Sequence, residues 1–120
     1  MADNGDNPYD VTFGRIMFLD KILSGHDNVY SINRHHDIVF DVVRIEPHDA
    51  LQIVCVDEYT LSEAKAREII EDFPKVRLMF VGGKWNGWSP DARDYCRAKK
   101  IGICNAGGIN AALRKTQYWR

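Results

Sequence analysis

Two carboxylates and one glycine-tryptophan loop carry the residue types that could do chemistry in this 120-residue sequence. Asp41 and Asp57 sit in apolar, β-branched runs, Ile38-Val39-Phe40-Asp41-Val42-Val43 and Leu51-Gln52-Ile53-Val54-Cys55-Val56-Asp57. Glu46-Pro47-His48-Asp49-Ala50 between them reads as a turn, so the runs pair as an antiparallel hairpin. With Val43 opposite Ile53, Arg44 meets Gln52 on one face. Asp41 and Asp57 then become diagonal neighbours on the other face, about 7–8 Å apart. Two carboxylates on an apolar surface are costly unless paired or bound to a cation. They read either as a divalent-metal site, where Mg²⁺ takes carboxylate oxygens and activates water, or as separate groups. In the second case Asp57 merely ends its strand and Asp41 bonds an amide or an arginine.

The segment Gly82-Gly83-Lys84-Trp85-Asn86-Gly87-Trp88 offers free backbone, an ammonium and two flat faces. Unstacked bases pack on such faces, at about 1–3 kcal/mol each; the alternative is that the indoles pack over the following helix or form a partner interface. Asn105-Ala106-Gly107-Gly108 either holds a phosphate at the start of the last helix or is a plain strand-to-helix turn. The total charge of −1 hides an asymmetry. Residues 1–83 hold 8 basic against 15 acidic side chains, a net −7, and residues 84–120 hold 8 against 2, a net +6. Arg93, Arg97 and Lys100 recur at spacings of four and three, one face of a helix. With Lys84, Trp85, Trp88 and the terminal Gln117-Tyr118-Trp119-Arg120 they form a candidate phosphate-contacting surface, or else an ordinary solvated helix face. Tyr118 and Trp119 are also fit to anchor a homodimer.

The elements that must position these residues follow from pattern. Residues 1–9 are turn formers and acids, expected as a disordered lead-in, and residues 10–120 as one α/β domain. Ile16, Leu19 and Leu23 stripe a helix that begins near Asp10 and stops at Gly25. Strands are expected over 29–32, 38–45 and 51–56. Thr60-Leu61-Ser62-Glu63 reads as a capping box for a helix that Pro74 ends. A strand over 76–81 follows. Ser89-Pro90-Asp91 supplies N-cap, first-turn proline and dipole-favoured acid for a helix to about Lys100. A short strand at 103–104 and a helix over 109–115 complete the order α-β-β-β-α-β-α-β-α. An antiparallel meander thus feeds β-α-β-α-β, a mixed sheet flanked by helices. If the later strands are parallel, the loops at 57–59, 82–88 and 105–108 line one edge of the sheet.

Composition narrows the class. Hydrophobic residues are 45% and charged residues 28%, the proportions of a globular chain rather than a disordered one. No apolar run approaches the roughly 20 residues that span a bilayer, and no signal-peptide core is visible, so a cytoplasmic protein without a membrane partner is expected. Cys55, Cys96 and Cys104 are odd in number and form no CxxC pair, as befits reduced buried thiols. His35 and His36 are adjacent, and on a strand they would point to opposite faces.

The element order, the meander and Asp41-Val42-Val43 together resemble the restriction-endonuclease-like, PD-(D/E)XK superfamily over most of the chain, from the first helix to the last. The resemblance implies that Asp41 binds metal and that the next strand carries Glu/Asp-x-Lys, whose lysine positions the attacking water. The corresponding residues are Cys55-Val56-Asp57, with neither acid nor lysine in place. Two residues later, Asp57-Glu58-Tyr59 restores an acid without a lysine, and the helical Lys65 offers an ammonium from another direction. The resulting reading is a catalytically degraded relative that needs no cofactor and binds nucleic acid or a partner protein. The alternatives are an active Mg²⁺-dependent nuclease using Asp41, Asp57, Glu58 and Lys65, and a regulatory or immunity-type protein-binding module anchored by Trp85 and Trp88.

Overall fold

The structure, a computed structural model, describes residues 5–120. Thr12 accepts a hydrogen bond from the Arg15 amide to open α1 (Phe13–Ser24), and Gly25 closes it. Ile16, Leu19 and Leu23 are its buried stripe, as their spacing requires. The meander follows as β1 (Val29–His35), β2 (Val39–Arg44) and β3 (Ala50–Cys55). A two-residue strand, β4 (Thr60–Leu61), precedes α2 (Glu63–Asp72). Then come β5 (Leu78–Phe80), a second two-residue strand β6 (Gly87–Trp88), α3 (Pro90–Ala98), β7 (Gly102–Cys104) and the single-turn α4 (Ile109–Ala112).

The main sheet has the order β1-β2-β3-β5-β7. β1, β2 and β3 are antiparallel neighbours, whereas β3, β5 and β7 are parallel. The chain is therefore one α/β domain with a mixed sheet flanked by helices. The two short strands pair with each other, Thr60 with Gly87 and Leu61 with Trp88. This pairing moves the expected cap of α2 by two residues. Thr60 is taken by the small sheet, and Ser62 accepts from the Lys65 amide instead. Ser89 and Pro90 open α3 as expected, the hydroxyl accepting from the Ala92 amide.

The register of the β2–β3 hairpin departs from the expected one by three residues, with Asp41 opposite Gln52 and Val39 opposite Val54. The cause is Arg44. Its backbone N–H donates to the Asp49 carbonyl at 2.8 Å, and its guanidinium grips the Asp49 carboxylate at 2.8 and 2.7 Å. The ladder therefore closes at Asp49 instead of carrying on to Gln52. An odd shift exchanges faces, because side chains alternate along a strand. Phe40, Val42 and Arg44 now share a face with Leu51, Ile53 and Cys55, and Asp41 shares the opposite face with Val39, Val43 and Gln52. Arg44 is fully buried rather than facing Gln52. α1 covers its face of the sheet, with the Phe18 ring 6.4 Å from Phe80.

Part of the expected disordered lead-in is bound to the domain. Residues 1–4 lie outside the described residues. The Gly5 amide and the Asn7 side chain donate to the buried Asp37 carboxylate at 2.9 and 2.8 Å, and the Tyr9 hydroxyl donates to Asp72 at 2.6 Å. Among the described residues no helix is long and apolar enough to cross a membrane.

Candidate functional site

Asp41 and Asp57 are not brought together. Asp57 lies five residues beyond Gln52, the cross-strand partner of Asp41. At about 3.3 Å per residue this is roughly 16 Å along the strand, and the two carboxylates belong to opposite faces. Each has its own partners. His35 Nε2 lies 2.7 Å from Asp41 Oδ2, and the Gln52 amide donates to Asp41 Oδ1 at 3.0 Å. Asp57 Oδ1 faces Arg15 Nε at 3.5 Å and accepts from the Asn86 amide at 3.3 Å. Glu58 donates its N–H to the Val81 carbonyl. Lys65 turns to Glu68, at 3.4 Å, and to the Tyr9 ring, at 5.2 Å. These residues do not fit a Mg²⁺ ion shared by Asp41 and Asp57. Among the described residues no group of three or more His, Cys, Asp or Glu side chains is placed to hold a metal.

The face of Asp41 carries a cleft of about 560 Å³ whose walls include His35, His36, Gln52, Phe73 and Lys75. His35 ends β1, and His36 has left the strand with φ 51°. Alternation therefore no longer separates the two rings, and their Nδ1 atoms approach to 2.6 Å. One ring must donate to the other, giving a hydrogen-bonded run from His36 through His35 to Asp41. Lys75, not Lys65, is the lysine beside this carboxylate. Lys75 carries no sequence signal of its own, and Gln52, expected opposite Arg44, is brought to Asp41 by the observed register.

The three loops do share one sheet edge, at the carboxyl ends of the parallel strands. Asn86 bonds Asp57, and the Asn105 amide donates to the Lys84 and Asn86 carbonyls at 3.3 and 2.8 Å. Gly82 is required there. It has φ +118°, and a Cβ would lie 2.6 Å from Asn86 Nδ2 and 2.9 Å from Asp57 Oδ1. Asn105 Oδ1 accepts from the Gly107 and Gly108 amides at 2.9 and 3.1 Å, so these donors serve the turn. The two indoles part company. Trp85 is 79% exposed with the Lys84 ammonium 5.3 Å from its ring, whereas Trp88 packs partly against the core.

Trp88 instead joins a second cleft, of about 100 Å³, with Arg93 and Arg97 of α3, Ile101 just before β7, Ile103 within it, and Tyr118, Trp119 and Arg120. The spacing of four places both α3 guanidiniums on one face, and Ala92 and Cys96 are the buried side, but α3 ends at Ala98, so Lys100, with φ 59°, is not on the helical face expected of it. Arg44 brings the other wall. From beneath the sheet it donates to the Leu113 and Lys115 carbonyls at 3.3 and 2.7 Å and lies 5.5 Å from the Tyr118 ring. Tyr118 and Trp119 meet edge to face at 5.1 Å, and the Lys100 ammonium lies 5.8 Å from the Trp119 ring. Arg93 has Asp94 at 3.2 Å. No carboxylate pairs with Arg97 or Arg120 among the described residues. The Lys84–Trp85 loop is held by Asn105, the residue after β7, and so lies at one end of the strand that borders this cleft.

The cysteines take no part in either cleft. Burial pushes the Cys55 thiol up to about 12 and the Cys96 thiol to about 11, and raises Cys104 further. Comparison of the chain with protein-family models, with curated proteins and with solved structures finds no match.

Proposed function

We propose that the chain is a non-catalytic protein of restriction-endonuclease-like fold that binds nucleic acid. The observation that carries this reading is the convergence of Trp88, Arg93 and Arg97 with Trp119 and Arg120 on one cleft. Guanidiniums supply phosphate contacts and indoles supply stacking faces, the two ingredients of single-strand binding surfaces. Lys84 and the exposed Trp85 extend the surface at the end of β7. The fold assignment draws on the helix, the antiparallel meander and the parallel β-α-β-α-β that follows. The absence of hydrolysis draws on Asp41 and Asp57 standing on opposite faces and on Cys55 and Asp57, which occupy the positions where an acid and a water-positioning lysine would be needed.

The test is titration of labelled single-stranded DNA and RNA over a salt series. Three to five basic contacts predict that log K falls against log salt with a slope of about −2 to −3.5 on single strands. Arg93→Ala with Arg97→Ala lowers the slope by about 1.4. An absent or salt-independent signal refutes the nucleic-acid reading and leaves a protein partner as the use of the tryptophan surface.

A further inference from the structure

We propose that the cleft between α3 and the last residues of the chain receives a terminal phosphate of a nucleic-acid strand, an inference that rests on the nucleic-acid reading above. Size argues first. The cleft measures about 100 Å³, whereas a cavity of about 150 Å³ is what holds a benzene ring. One phosphate group fits, and a base does not.

Charge argues next. Arg93, Arg97 and Arg120 border this small space, and Asp94, paired with Arg93, sits in an exposed position where such a pair contributes little. Three guanidiniums around one cleft repel one another until an anion separates them. An internal phosphodiester brings a single charge and two free oxygens, and both of its ester bonds must pass through the mouth. A terminal monoester brings a charge of about −1.5 to −2 and three acceptor oxygens, the better match to several guanidinium forks. The aromatic rim gives the attached nucleotide a place. Trp119, braced by Tyr118 at 5.1 Å, and Trp88 border the same opening, so the terminal base stacks outside while its phosphate enters. A 5′ and a 3′ phosphate share this chemistry, and the experiment separates them.

The measurement is fluorescence anisotropy with one 12-nucleotide single strand carrying an internal dye and ending in 5′-phosphate, in 3′-phosphate, or in hydroxyls at both ends. One phosphorylated form is expected to bind about tenfold more tightly than the hydroxyl form. Arg97→Gln and, separately, Arg120→Gln are expected to abolish that ratio; both guanidiniums also contact the strand, so hydroxyl-end affinity falls as well, and the ratio within each variant is the readout. Both positions are exposed, and unchanged melting temperatures show that the variants fold. Lys84→Gln, away from the cleft, is expected to keep the ratio. Equal binding of all three strands overturns the terminal-phosphate assignment and leaves the nucleic-acid reading standing. A ratio that survives both arginine substitutions places the phosphate elsewhere and overturns it as well. No binding of any strand overturns both readings.

Discussion

Breaking the Arg44–Asp49 pair tests how the fold and the candidate interface are joined. Arg44 is fully buried, with two hydrogen bonds to Asp49 at 2.8 and 2.7 Å and two to the carbonyls of Leu113 and Lys115. It holds the hairpin register on one side and the segment leading to Trp119 and Arg120 on the other. Removing one partner of a buried ion pair costs about 3–5 kcal/mol. Arg44→Met belongs at the lower end, because the Asp49 side chain it abandons is 37% exposed and water reaches it. Asp49→Ala belongs at the upper end, because it leaves a fully buried guanidinium with carbonyl partners alone. A chain of 120 residues has about 6–18 kcal/mol of stability in all, so both variants fold. With a urea slope of about 2 kcal/mol per M, the midpoint should fall by about 1.5 M for Arg44→Met and by about 2.5 M for Asp49→Ala. The same variants should bind single-stranded nucleic acid with a shallower salt slope, although neither residue is on the cleft. A midpoint shift below about 0.5 M in both variants would refute the assignment of Arg44 as the anchor.

Other outcomes follow from the same geometry. Asp41→Asn should leave nucleic-acid affinity within about twofold, because Asp41 faces the His35–His36 cleft; a loss of binding or of Mg²⁺-dependent strand cleavage in this variant would restore Asp41 to the functional surface. Gly82→Ala should cost about 2–3 kcal/mol in denaturant titration, from the strained positive φ and the approach to Asn86 and Asp57, and a change under about 0.5 kcal/mol would contradict the described loop. The three cysteines should react with a thiol reagent at pH 8 at least about a hundredfold faster in strong denaturant than in the native protein, and equal rates would show them accessible. Because burial lifts the Cys55 thiol from an ordinary value near 9 to about 12, the folded state holds a proton that the unfolded chain releases. Its contribution is whole below pH 9 and is lost between pH 9 and 12, at up to about 1.4 kcal/mol per pH unit. Cys55→Ala should therefore show a smaller fall in urea midpoint from pH 8 to pH 10.5 than the parent; an equal fall would contradict the buried neutral thiol.

The sequence makes an element legible where the physics is local. The stripe of Ile16, Leu19 and Leu23, the Ser89-Pro90 start and the order of the meander and the crossover strands depend on neighbours within a few residues, and the structure repeats them. The cap of α2 was misplaced because Thr60 pairs with Gly87, a partner 27 positions away. The hairpin register depends on which residue closes the turn, and polar pairing of Arg44 with Gln52 competed with the bidentate grip of Asp49. That choice moved Asp41 to the other face and separated it from Asp57. The His35–His36 contact is not legible from strand alternation, because β1 ends at His35 and His36 turns out of it. The arginines of α3 were legible as a helical face, but their meeting with Trp119 and Arg120 depends on a buried Arg44 reaching across the fold. No spacing in the sequence encodes that.

The location of the proposed nucleic-acid surface is tested most directly by nuclear magnetic resonance of the indole and guanidinium N–H groups during titration with a single-stranded oligonucleotide. The three tryptophans give three indole signals, assigned by Trp→Phe substitution one at a time. The Trp88 and Trp119 signals and the Nε–H signals of Arg93, Arg97 and Arg120 are expected to move together at low salt and to return as salt is added. Movement confined to the histidine cleft around Asp41, with the cleft between α3 and the last residues unmoved, would contradict the account.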